Sequence, residues 1–172
     1  MTTITKATIT KATIAKATLA AKKSEPRLDA IALLKADHEA VAQLFSEFEK
    51  TRSSSNKKAL VAEICSALSV HAQVEEEIFY PAVKAALKDK VLVPEAIVEQ
   101  ASLKALIAQL EGDEPDAEMF DAKVKVLGEY VQHHVKEEHA EMFPKARAAA
   151  LDLLDLGARM ATRKAELMAH RA

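Results

Sequence analysis

From residue 27 onward, apolar residues recur every three or four positions, the period of one face of an α-helix. Ile31, Leu34, His38, Val41, Phe45 and Phe48 form the first stripe, and Ser53-Ser54-Ser55-Asn56 breaks it while offering an N-cap to the next. Ile64, Leu68, His71, Glu75, Ile78 and Ala82 form the second. Pro94 and Glu95 suit the first turn of a third helix, whose stripe is Ala96, Gln100, Leu103, Ile107 and Leu110. Gly112-Asp113-Glu114-Pro115-Asp116 ends it, and Phe120, Val124, Leu127, Val131, His134, Glu138 and Met142 make the fourth. Gly157 interrupts the pattern again, leaving Arg159 to Ala169 as a short terminal helix. Pro81 and Pro144 fall inside helical stretches and are expected to kink or end them. The pattern predicts an all-α fold, an antiparallel up-down-up-down four-helix bundle with a short C-terminal helix.

Residues 1–26 follow another rule. Ile4, Ile9, Ile14 and Leu19 recur every fifth residue, which builds a stripe on neither a helix nor a strand. This segment reads as a disordered, low-complexity basic tail ahead of a bundle over residues 27–172. Residues 1–23 carry five Lys and no acid; removing that +5 from the whole-chain −2 leaves −7 on the remainder. The tail is thus expected to be solvated, with weak nucleic-acid contact as its functional alternative. Composition agrees with the helical reading. Three Gly in 172 residues are too few for the turns of a β-sandwich, and one Cys makes no internal disulfide. No apolar run approaches the roughly 18 residues of a membrane span, and none resembles a secretory signal, so a cytoplasmic setting is expected.

The informative residues are the polar ones that sit on the apolar stripes: His38, His71, Glu75, Gln100, His134 and Glu138. Counting outward from the two hairpin turns places them at similar heights, so they should share one layer of the core. Such a layer is costly, because a buried unpaired carboxylate costs several kcal/mol, comparable with the net stability of a whole domain. A cation is the simplest compensation, and imidazole with carboxylate suits divalent iron, manganese or zinc. The i, i+4 spacings His71–Glu75 and His134–Glu138 aim each pair at a common centre. The Glu-x-x-His spacing of ferritin-like bundles appears on no core stripe, which argues against that class. An internal repeat strengthens the reading. His71, Glu75, Tyr80 and Pro81 match His134, Glu138, Phe143 and Pro144 at an offset of 63, and Asp37-His38 faces Glu99-Gln100 at an offset of 62. The repeat predicts a His at position 100, where Gln stands.

In these motifs the chain resembles the hemerythrin-like family, the bacterial single-domain HHE cation-binding proteins. The residues concerned are Asp37-His38-Glu39, His71 and Glu75 with Phe79-Tyr80-Pro81, and His133-His134 with Glu137-Glu138 and Phe143-Pro144. The resemblance spans about residues 28–168. It implies a non-haem di-iron centre in which His38 and His71 hold one iron, His134 the other, and Glu75 and Glu138 bridge. It also implies reversible oxygen binding, or sensing or storage of iron or oxygen. Gln100 departs from the family's Glu-His and should leave an asymmetric centre, tight at His38/His71 and weak at Gln100/His134. Glu76, Glu77, Glu137, His133 and His139 rotate off the stripes and are expected to be solvated or supporting. Cys65 is expected to pack as core, and so are Tyr80 and Tyr130, with hydrogen-bond donation near the metal as the alternative for the two tyrosines. Three functional readings stay open on the sequence: an iron-holding protein that meets oxygen or a similar diatomic molecule, an enzyme acting on peroxide or nitric oxide, and a bundle that has lost metal.

Overall fold

Asp29 starts the first helix: its side chain accepts a hydrogen bond from the Ala32 N–H at 2.8 Å, satisfying one of the donors a helix start leaves free. The computed structural model describes residues 28–115 and 117–171, and among these all regular structure is helical. Helices α1 (Ala30–Lys50) and α2 (Ser54–Val74) form an antiparallel pair. The second helix continues through a π-helical turn, Glu75–Phe79, into α3 (Tyr80–Leu87). Lys88, in the left-handed region at φ 54°, ends α3. Asp89 then accepts from the Val91 and Leu92 N–H groups at 2.7 and 2.8 Å and so caps α4 (Leu92–Glu111). The fourth helix repeats the second, with α5 (Phe120–Glu137), a π turn over Glu138–Met142, and α6 (Phe143–Ala148). The predicted up-down-up-down bundle is therefore present, and the expected basic tail over residues 1–26 lies outside the described residues. No helix among the described residues is long and apolar enough to cross a membrane.

Of the two outcomes expected at the prolines, a kink or an end, the end does not occur. Neither ends its helix, because each follows a π turn, and the wider turn relieves the clash and the missing donor that a proline brings to an α-helix. The turn also re-aims side chains. At 3.6 residues per turn, residue i+5 lies about 140° round the axis from residue i. Here the Tyr80 N–H bonds to the Glu75 carbonyl and the Phe143 N–H to that of Glu138, which carries both aromatics back over the polar layer.

The C-terminal helix α7 is 19 residues long, Leu153–Arg171, rather than short. Gly157 lies within it and does not interrupt it. A Cβ there would lie 2.3 Å from the Leu28 carbonyl oxygen and 2.8 Å from the Ala30 nitrogen, so only glycine lets α7 seat against the start of α1. Gly157→Ala is expected to cost about 1–3 kcal/mol, because the obstacle is backbone and cannot swing aside. A melting temperature unchanged within 1–2 °C would show that α7 is not seated there.

The core divides in two. One apolar cluster contains Ile31, Leu34, Val74, Phe79, Val83, Val93, Met142 and Phe143; the other contains Val41, Ile64, Leu68, Leu103, Ile107, Val124, Leu127 and Val131. Along each long helix the predicted polar residue falls between these clusters. His38 lies between Leu34 and Val41, and Gln100 between Ala96 and Leu103. The polar layer is thus the seam of the bundle.

Candidate metal centre

Five of the six predicted residues are buried, Glu75 at 0 % exposure and Glu138 and Gln100 at 1 %, and the His38 imidazole, at the rim, is 7 % exposed. On one side of the layer four side chains converge. His38 Nε2 is 3.0 Å from His71 Nε2 and 3.3 Å from Glu138 Oε2, and His71 Nε2 is 3.3 Å from Glu75 Oε1. Edges of about 3.0–3.4 Å are those of an octahedral or tetrahedral shell with bonds of about 2.1 Å. Glu75 Oε1 and Glu138 Oε2 have no hydrogen-bond partner within the protein, and neither has Gln100 Oε1. Buried carboxylate oxygens that lack a protein donor and face imidazole nitrogens form a donor set suited to a cation. These four residues together fit a divalent ion.

On the other side the layer is closed differently. Gln100 Nε2 donates to Glu75 Oε2 at 2.5 Å and to Tyr80 Oη at 2.9 Å. Tyr80 Oη lies 3.1 Å from Glu75 Oε2, 3.0 Å from Glu138 Oε1 and 3.3 Å from His134 Nε2. Tyr80 is therefore no ordinary core residue. Its phenol sits among Gln100, His134 and the two carboxylates, sharing its proton between the acids. Burial and both carboxylates push its ionisation upward, so it remains a donor. Tyr130, also expected in the core, is instead exposed.

Two of the imidazoles meet a partner at the other nitrogen within hydrogen-bond distance, and the third, His71, faces a carboxylate at longer range. His134 Nδ1 is 2.7 Å from Glu99 Oε2, His38 Nδ1 is 3.0 Å from His139 Nε2, and His71 Nδ1 is 3.6 Å from Asp37 Oδ2. Asp37 is held in turn by Lys164 from α7. Backing of this kind fixes ring orientation and leaves Nε2 facing inward. His139 was expected to point away; from the π turn it reaches His38 at the rim. Burial alone would lower the His71 imidazole, but the Glu75 charge, helped by the neighbouring Asp37 carboxylate as a polar partner, outweighs it and raises it to about 10. Burial lowers His38. Burial and the Glu75 charge raise Glu138, whereas the His71 charge overrides burial and holds Glu75 low.

Residues 29–146 match the family model described as the hemerythrin HHE cation binding domain. The chain belongs to this hemerythrin family. It is a cation-binding domain, and its His/Glu layer is the candidate seat for the cation. A hemerythrin HHE cation binding domain-containing protein from Mycobacterium kansasii superposes with a TM-score of 0.71 at 23% identity, covering 81% of this chain and 87% of that one, which shows a shared fold. A DNA nickase of Nostoc sp. is 29% identical over 115 residues, 67% of this chain. The chain spans about a third of that relative, 32% of its length, so the nickase activity is a statement about that protein.

Within this hemerythrin-type layer the sequence pattern located His38, His71, Glu75, Gln100, His134 and Glu138, and the structure brings all six together. It missed the supporting roles of Asp37 and Glu99, held Tyr80 beside the metal only as the alternative to core packing, and had His139 as solvated or supporting. The repeat held a clue to Tyr80, since it aligns a phenol with the plain ring of Phe143. Phe143 stacks on His38, ring centroids 6.0 Å apart, in the place that Tyr80 takes beside Gln100.

Proposed function

We propose that this protein holds non-haem iron in the polar layer and presents it to oxygen or a similar diatomic molecule. The observation that carries the reading is the convergence of His38, His71, Glu75 and Glu138 with two carboxylate oxygens left unpaired. Two imidazoles with carboxylate oxygen form a donor set that suits divalent iron with positions to spare. Iron held there would supply a redox-active centre able to bind a diatomic ligand. The second position, at Gln100 and His134, is weakened: an amide replaces an imidazole, and the Tyr80 phenol fills the space. We therefore assign one firm cation position and one weak one.

The surroundings restrict what reaches the layer. A cavity of about 20 Å³ touches His38, His71, Gln100 and His134 and is otherwise walled mainly by Val41, Leu68, Leu103, Ile107 and Val131. That is room for one water-sized molecule in a largely apolar setting, which favours a small, weakly polar ligand.

Protons report on the centre. The folded chain binds the His71 proton up to about pH 10, against an ordinary imidazole value of 6.5. In the metal-free protein this interaction contributes stability that is complete below about pH 6.5 and is lost as pH rises through about 10. A cation must displace that proton. Anaerobic Fe2+ titration is therefore expected to show one firm equivalent, proton release into weak buffer, and an affinity that rises about tenfold per pH unit between pH 6 and 9. A pH-independent affinity, or no uptake, would sink the reading.

A further inference from the structure

The polar layer has an outer copy. His133-His134 on α5 and Glu137-Glu138 where α5 passes into its π turn are doubled pairs, and Glu99-Gln100 is the corresponding doublet on α4. In each doublet one member faces the core; its neighbour, about 100° round the helix, faces outward. The outward members meet. His133 Nε2 is 3.2 Å from Glu99 Oε1 and 3.3 Å from Glu137 Oε1, and the His133 side chain is 63% exposed. These edges match those of the inner cluster, and the ligand atoms lie close enough together to share one ion.

Two further observations separate this group from an ordinary charged surface. The nearby carboxylates Glu76, Glu77 and Glu141 are paired with Lys104, Arg163 and Lys145. Among the described residues, Glu99 and Glu137 pair with no Lys or Arg, only with imidazole. In addition, Glu99 faces two ways. Its Oε1 meets His133 at the surface, while its Oε2 accepts from His134 Nδ1 at 2.7 Å. One carboxylate thus joins the outer group to the inner layer.

We propose that Glu99, His133 and Glu137 form a surface capture site for a divalent first-row cation, completed by water, which feeds the inner layer past Glu99. One His and two carboxylates on two rigid helices supply three ligands and leave the outward positions open. Feeding rests on the inner layer holding a cation, as proposed above; capture does not.

The test uses the full chain with Zn2+ for stoichiometry and anaerobic Fe2+ for loading rate. The wild type is expected to take up one more Zn2+ equivalent than His133→Ala/Glu137→Gln. His71→Ala/Glu75→Gln should keep this outer equivalent while losing the inner one. Both pairs leave Glu99 in place, and matching circular dichroism shows that they fold. With Fe2+ below saturation, His133→Ala/Glu137→Gln is expected to load its inner position at least tenfold more slowly but to the same final level. Equal Zn2+ stoichiometry in wild type and His133→Ala/Glu137→Gln would overturn the capture site. An unchanged loading rate would overturn feeding. An outer equivalent that persists where the wild type shows no inner uptake would support capture and sink the inner reading instead.

Discussion

Anaerobic saturation with Fe2+ is expected to raise the melting temperature of the wild-type chain by about 10 °C, and Glu75→Gln is expected to abolish most of that rise. A ligand bound only by the folded state, present at a thousand times its Kd, stabilises by about 4 kcal/mol, and in a chain of this size each kcal/mol moves the midpoint by about 2–4 °C. Glu75 is the residue to change because it serves both sides of the layer. Oε1 faces His71 at 3.3 Å, while Oε2 accepts from Gln100 and lies 3.1 Å from Tyr80. Glutamine keeps the size and one acceptor but removes the charge that a cation needs and that holds the His71 proton. The metal-free variant should therefore lose stability at pH 7 while folding normally. Differential scanning calorimetry with and without Fe2+ decides it. A variant that keeps the full rise would mean that the cation sits elsewhere.

The second large effect concerns stoichiometry. Gln100→His combined with Tyr80→Phe is expected to take the protein from one firm equivalent of iron to two. The internal repeat gives the reason. Position 100 answers to His38 and position 80 to Phe143, so the two halves of the layer differ by an imidazole and a phenol. The double change makes the second half chemically like the first. Either change alone should do less. Histidine at 100 still meets the Tyr80 phenol, while phenylalanine at 80 still leaves an amide where imidazole would bind better. Tyr80→Phe also removes the proton shared by Glu75 and Glu138, freeing both acids for a second cation. Metal analysis after dialysis reads the outcome, and one equivalent in the double variant would show that something other than these two residues sets the asymmetry.

Much of this was legible in the chain because helical periodicity is a strong signal and burial of charge is a rare one. The stripes of α4 and α5 are buried at each position that the pattern picked, from Ala96 to Leu110 and from Phe120 to Met142. Two of the departures share one physical cause, a change of period. A π turn alters the residues per turn locally, and it is this that brought Tyr80 and His139 where a strict 3.6 count does not put them. Asp37, Glu99 and Lys164 were hidden for another reason. They act from beside the layer, across helix boundaries, where spacing along one helix carries no information. Gly157 misled because a glycine inside a helix looks like a break until the neighbouring backbone that demands it is seen.

The path from Lys164 through Asp37 to His71 has an effect beyond holding a ring in place. It ties α7 to one of the imidazoles of the candidate cation seat. Occupancy of the centre and docking of the C-terminus then share a single free energy, so that whatever loosens one relaxes the grip on the other. A metal bound there would act as a rivet for α7, and resistance of that helix to proteases would become an outside gauge of what the interior holds.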